Sequence, residues 1–536
     1  MMKETLFRDN IVSNILNNFM FYLSYDELVY YMLAVVLFGF INVAVVRKFF
    51  SKEQYCFINL NKKDDEYKKG YCGYVLLFLS FILYVINILS LENSIFNAYD
   101  SMSFNNINNM LYGVLPTIKF GRFNPIAGVD HNIIYAMSHN YNMINCWIII
   151  KQAICLFLLY KVFYFIPVDK RLMFLAVINI LPSVFWVNNI IFPEQIALIF
   201  ILLSLLCLIK CNLSNRFSHL LWFVLFMNFA IYTKETVILF YAGVLIFLVF
   251  RRIFNEEIVL KSFLHPLKTI KMMPIEYLMF CNMLIYSIFY LLSSDLFTSG
   301  TYISHNHKDL FELLKINSLE LFINLTSLIL LFFNIHKTGN WLGKGIVIGC
   351  SLMTIVIIFY FQIGGYPDFY KTWYLYLPTI FCTGYIFNNL NKKWLLIIFI
   401  PIVLFSFYKN WWIFEKEEGK SRRELVEYMI SQGNQPTFYF VDKENFHDGW
   451  MFESFNSALK YTFPNGNIIF ETNHDFHPRI NNKNDYFYKT IKSDLPVNSD
   501  FIIVYKNKSY NISVNATLVY ENKFYKVYKL NNEDKK

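Results

Sequence analysis

Glu194 and the Lys234/Glu235 pair stand at the borders of long apolar runs. A charge at or just inside a membrane boundary is expensive to keep there, so it is a candidate for function by default. As residue types these side chains offer two kinds of chemistry. A carboxylate can take a proton from a hydroxyl, and a Lys or Arg can hold an anionic oxygen, Arg doing so through a bidentate fork. Each also has a structural reading. Lys234 and Glu235 can snorkel or cap one another at a helix end, and Glu194, in the first turn after Pro193, complements a helix dipole. Several such groups converging on one face favour a functional role.

The elements that must position them are set by composition. The chain of 536 residues is 56% hydrophobic and only 16% charged, more apolar surface than a soluble fold of this size can bury. A bilayer is the natural solvent for that excess. Runs long enough to cross it are expected at 28–46, 72–91, 147–166, 171–191, 195–210, 219–233, 236–253, 276–293, 318–335, 345–362, 373–389 and 394–410, about twelve spans. Two divisions, at Glu194 and at Lys234/Glu235, rest on single charges within otherwise continuous apolar sequence.

Lys and Arg orient the spans. One set of alternate loops carries 20 of them and the opposite set six, which puts the latter set on the outer face of an inner (plasma) membrane. The polar features then fall together on that face: a loop over 92–146 with interfacial, partly apolar character, the Phe192-Pro193-Glu194 and Lys234-Glu235 borders, and the Gly364–Lys371 stretch. The expected organisation is an N-terminal segment over 1–71 with the first span and a cytoplasmic loop, a multi-helix transmembrane domain over 72–410, and a soluble domain over 411–536 on the outer side. In that last region Phe438–Val441, Asn467–Glu471, Phe501–Tyr505, Thr517–Tyr520 and Lys523–Leu530 read as strands, and Arg422–Ser431 reads as a helix, giving a small α/β domain.

Nothing in the charge pattern suggests nucleic acid, because no basic stripe is interleaved with aromatics. Nine cysteines lie mostly within apolar runs, and Cys207 and Cys211, one helical turn apart, lack His or acidic neighbours at ligand spacing. Packing accounts for them. No metal and no cofactor is expected.

Asn97-Ala98-Tyr99-Asp100 and Phe120-Gly121-Arg122-Phe123, in a long first outer loop followed by many spans and a terminal outer domain, resemble the GT-C superfamily of polyprenyl-phosphate-sugar glycosyltransferases. Within it they are most similar to the bacterial and phage glucosyltransferases of O-antigen and related surface glycans. The resemblance covers roughly 72–410. It implies a polytopic α-helical membrane fold, a polyprenyl-phosphate-sugar donor and a glycan acceptor, with glucose as the sugar moved. It also implies Asp100 as the catalytic base and Arg122, Lys234 and Lys371 as groups that hold the donor phosphate. Asp130, Glu194, Glu235 and Asp368 are then supporting acids or acceptor-binding groups. Asp100 is followed by Ser101 where the family pattern has a second acid, which leaves that role open between Asp130 and Glu194.

Two other classes share parts of the pattern. A lipid-linked sugar transporter or flippase also has about a dozen spans, but it would show repeated halves and polar groups at mid-membrane. A polymerase or ligase using a lipid-diphosphate glycan would carry an outer loop rich in Arg and His, whereas Arg122 is the one Arg in the outer loops before the terminal domain.

Overall fold

The computed structural model describes residues 37, 39–47, 71–90, 126–127, 129–138, 141–181, 183–184, 187, 193–214, 217–254, 273–293, 318–335, 341–364, 375–391, 394–395, 397, 411–433, 436–441, 467–471, 489–491, 499–506 and 516–530. The chain divides into a helical unit and a sheet unit.

The helical unit contains α1 (Tyr71–Ser90), α2 (Val129–Ser138), α3 (Tyr141–Val162), α4 (Val168–Ile178), α5 (Glu194–Ser214), α6 (Phe217–Thr233), α7 (Val237–Phe254), α8 (Pro274–Ser293), α9 (Ser318–Asn334), α10 (Trp341–Gly364) and α11 (Tyr376–Asn389). Windows in α3, α5 and α8 are long and apolar enough to cross a membrane, and α1, α6, α9 and α10 hold shorter apolar stretches. Large apolar side chains face outward. Phe78, Phe157, Phe332 and Phe333 are 60–74% exposed, a surface that only a non-aqueous surrounding tolerates at this density. This is a membrane protein.

Where every outer surface is apolar, helices associate through close backbone approach and buried polar contacts more than through a hydrophobic drive. Both are present. A Cβ on Gly243 of α7 would lie 2.4 Å from the Gly349 Cα of α10, and a Cβ on Gly349 would lie 2.4 Å from the Phe240 carbonyl oxygen. Asn228 Nδ2 donates to Asn282 Oδ1 at 2.9 Å, joining α6 to α8. The Ser204 and Tyr241 hydroxyls share a hydrogen bond of 2.5 Å between α5 and α7. Gln152, Asn179 and Ser80 form a chain at 2.9 and 3.2 Å across α3, the end of α4 and α1.

Charged side chains also lie at helix ends. Arg252, near the end of α7, pairs with Glu276, in the first turn of α8, at 2.6 Å, and the Arg171 guanidinium donates to the Tyr160, Tyr164 and Ile166 carbonyls at and just beyond the end of α3.

Sequence expectation and helix agree closely at 72–91, 195–210, 219–233, 236–253, 276–293 and 318–335. The run at 171–191 does not form one helix: α4 ends at Ile178, and a turn at 179–180 follows. Apolar character alone cannot report such a break. Most of 28–46 and of 394–410 lies outside the described residues.

The sheet unit holds α12 (Trp411–Ser431) and six strands: β1 (Thr437–Val441), β2 (Asn467–Glu471), β3 (Lys489–Ile491), β4 (Phe501–Tyr505), β5 (Ala516–Glu521) and β6 (Tyr525–Leu530). Their order is β3-β2-β1-β4-β6-β5. The first four are mutually parallel, and β6 and β5 join antiparallel. Tyr439, Ile502, Val504 and Leu530 form its core, and Phe438 stacks on Phe501 at 5.0 Å. Gly433 follows α12 with a φ of +90°, and its N–H donates to Ile430 O, a left-handed cap on the helix end. Tyr428 of α12 stacks on Tyr520 of β5 at 4.5 Å.

Candidate active site at one end of the helical unit

Asp130 and His131 open α2, a helix of ten residues that is too short to span a bilayer. Both point at α3. Trp147 Nε1 donates to Asp130 Oδ2 at 2.8 Å, and Lys151 Nζ donates to the same oxygen at 2.9 Å. Lys151 Nζ also lies 2.9 Å from His131 Nε2. An ammonium can only donate, so Nε2 is the acceptor and the imidazole carries its proton on Nδ1, 3.5 Å from Asp130 Oδ1. Trp147 and Lys151 stand four residues apart and so share one face of α3.

Burial opposes ionisation of Asp130. The charges of Lys151 and, in the acid range, His131, with hydrogen bonds from Trp147 and Lys151, still hold its carboxyl well below the usual carboxylate range. Burial depresses His131 to about 3, against the pull of Asp130 and with the push of Lys151. At neutral pH Asp130 is therefore a carboxylate and His131 a neutral imidazole.

A second charged group lies on α5 and α6. Pro193 O accepts from Ala197 N, so Glu194 is the first residue of α5, where a carboxylate complements the helix dipole. Lys234 sits in the tight break between α6 and α7. Its N–H donates to Ala230 O, and its carbonyl accepts from Val237 N. Lys234 Nζ is 2.8 Å from Glu194 Oε1, and both side chains are almost wholly buried, at 6% and 3% exposure. The contact is close without hydrogen-bond alignment at the carboxylate oxygen. Glu235, the next residue, is part-buried and lies within electrostatic reach of Tyr286, which packs edge-on against Tyr232 at 5.1 Å.

The two groups belong to one end of the unit. Ile126 N donates to Tyr232 O at 3.2 Å, tying the segment before α2 to the end of α6. Gln195, beside Glu194, donates to Ile148 O of α3 at 3.4 Å. Tyr376, the first residue of α11, is fully buried within electrostatic reach of Glu194, Tyr84 and Cys155. Carboxylates, ammonium groups and phenols thus gather where α6 ends and α3, α5, α7 and α11 begin.

Of the residues expected from sequence, the structure brings together Glu194 and Lys234, places Glu235 beside them, and commits Asp130 to Trp147 and Lys151. Asp100, Arg122, Asp368 and Lys371 lie outside the described residues. Lys151 and Tyr376 were not among the residues expected from sequence. Lys151 had a usable signal, a solitary ammonium inside an apolar run, whereas Tyr376 had none in a chain with 38 tyrosines. Among the described residues, no group of three or more His, Cys, Asp or Glu side chains is arranged to hold a metal ion.

No protein-family model matches the chain, and none of the curated proteins matches it. Among solved structures the chain is similar to ArnT from Cupriavidus metallidurans bound to undecaprenyl phosphate, with a TM-score of 0.49 and 10% identity over 86% of this chain and 98% of that one. The apo state of that ArnT gives a TM-score of 0.48 at 11% identity over 85% and 98%. The Archaeoglobus fulgidus oligosaccharyltransferase, tethered to an acceptor peptide, gives 0.38 at 10% identity, over 75% of this chain and 64% of that one.

Proposed function

We propose that this protein is a membrane glycosyltransferase that moves a sugar from a polyprenyl-phosphate donor to a glycan acceptor at the outer face of the inner membrane. The observation that carries the reading is the buried Glu194–Lys234 pair, with the Tyr376 phenol within electrostatic reach of Glu194. A cation fixed at a membrane boundary suits a phosphate that leaves while its lipid stays in the bilayer.

In this reading Asp100 takes the proton of the acceptor hydroxyl as its oxygen bonds to the anomeric carbon. The bond from that carbon to the phosphate oxygen breaks, and the electron pair leaves with the phosphate. Arg122, Lys234 and Lys371 hold the charge that develops there. Glu194 fixes Lys234 and is the second carboxylate. Asp130, already bound by two donors, is a supporting acid. Glu235 and Asp368 face the acceptor. Glucose is the sugar and a surface glycan of the O-antigen type is the acceptor, in line with the sequence resemblance. The multi-helix domain over 72–410 is catalytic, and the domain over 411–536 lies on the outer side.

Transfer from radiolabelled undecaprenyl-phosphate sugars to surface-glycan acceptors, by reconstituted wild type and by an equally folded Asp100→Asn variant, tests this. Wild type transfers label, and the variant is at least about 100-fold slower. No transfer by wild type from any donor overturns the function; undiminished transfer by Asp100→Asn overturns the assignment of the base.

A further inference from the structure

Among the buried polar atoms at this end that lack a hydrogen-bond partner among the described residues are Glu194 Oε2 and the Tyr376 hydroxyl. Glu194 is 2% exposed and Tyr376 fully buried. Folded proteins rarely leave such groups unsatisfied, and a charged one is the costlier to strand. They stand at the first residues of α5 and α11, helices that pack on each other. Glu194 has its charge met from one side only, by Lys234 at Oε1.

The chemistry of the missing partner follows from what each atom can do. An ionised carboxylate only accepts, so whatever completes Oε2 must donate an O–H or N–H. A fully ionised phosphate has no proton to give and cannot fill that place. A phenol both donates and accepts, which suits a hydroxyl. Lys234, on the other side of the carboxylate, only donates and suits the anionic part of the same molecule. The pair therefore divides a ligand into a phosphate end at Lys234 and a hydroxyl- or amine-bearing end at Glu194 Oε2 and Tyr376.

We propose that Glu194 Oε2 and the Tyr376 hydroxyl form the subsite that reads the hydroxyl or amino groups of the donor's sugar. This deepens the glycosyltransferase reading and rests on it. Sites built to hydrogen-bond a substrate hydroxyl discriminate strongly, because without it their own buried groups stay unpaired.

The test uses Tyr376→Phe, which removes one oxygen and keeps the packing. Affinities of the full-length wild type and variant are measured for bare undecaprenyl phosphate and for a panel of undecaprenyl-phosphate hexoses and aminohexoses, beside thermal unfolding. The expected result has four parts: wild type prefers one sugar lipid over the bare lipid; the variant binds that sugar lipid about tenfold more weakly; it binds the bare lipid as wild type does; and it unfolds at the same or a higher temperature, because the lost hydroxyl had no partner in the protein. A preferred hexose assigns a hydroxyl as the group read, and a preferred aminohexose assigns an amine. A variant that keeps the full sugar preference overturns the subsite. So does one that loses stability and both lipids together, or a wild type that binds the bare lipid and gains nothing from any sugar. A wild type that binds neither kind of lipid overturns the glycosyltransferase reading itself.

Discussion

Lys151→Met removes an ammonium that is 1% exposed and donates at 2.9 Å to both Asp130 Oδ2 and His131 Nε2, while the side chain keeps a similar length. Asp130, itself only 11% exposed, is then left as a buried carboxylate with Trp147 as its remaining donor. Removing one partner of a buried ion pair costs about 3–5 kcal/mol, most of it the uncompensated charge left behind. The double variant Asp130→Asn/Lys151→Met takes charge from both sides, and the Asn oxygen still accepts from Trp147. It is expected to regain at least about 2 kcal/mol over the sum of the two single changes, the coupling typical of residues in direct contact. Denaturant unfolding in detergent micelles, followed by tryptophan fluorescence, measures all four members of the cycle. A Lys151→Met loss under about 1 kcal/mol, or a double variant as unstable as the sum, would refute the view that this cluster fastens α2 to α3.

Further outcomes follow from the same geometry. His131 titrates near 3 when folded and at its ordinary 6.5 when unfolded, so between those values the unfolded chain binds a proton that the folded one refuses. Stability therefore falls as pH drops below about 6.5, by up to about 1.4 kcal/mol per pH unit, and Asp130 adds to the loss below about 4. Unfolding measured from pH 7 to 4 shows this slope, and His131→Gln flattens it; an unchanged slope in that variant contradicts the assignment. At the crossing of α7 and α10, Gly349→Ala drives a methyl to 2.4 Å from the Phe240 carbonyl and costs about 1–3 kcal/mol. Gly39→Ala, with nothing within 4 Å, is the control and is neutral or slightly stabilising. Equal effects at the two glycines count against the crossing.

Much of the helical unit was legible because its spans are apolar and its breaks carry charge. Lys234 and Glu235 mark the turn between α6 and α7, and Pro193 with Glu194 marks the start of α5. The break after Ile178 was not legible, because its turn is made by Asn179 and Ile180 within continuous apolar sequence. In the sheet unit the aromatic and β-branched runs coincide with β1, β2, β4, β5 and β6 to within two residues, while β3, three residues of mixed polarity, has no pattern to read.

At the site, sequence position revealed which charges border the membrane but not which of them meet. The Glu194–Lys234 pair joins residues 40 positions apart through the antiparallel packing of α5 and α6. Asp130 looked like a spare acid. Its commitment to Trp147 and Lys151 depends on α2 folding back along α3, which no local pattern announces.

The central claim is that the buried charge at this helix end serves sugar transfer and not stability alone. Glu194→Gln/Lys234→Met removes the pair without stranding either charge, so unfolding should stay close to that of wild type. The measurement is transfer from an undecaprenyl-phosphate sugar by this double variant in proteoliposomes, beside wild type. A folded variant with transfer slowed about 100-fold or more is the predicted result, the usual cost of losing one charge-stabilising group at a transition state. A folded variant that transfers at the wild-type rate would contradict the account, leaving the pair as a fastening between α5 and α6.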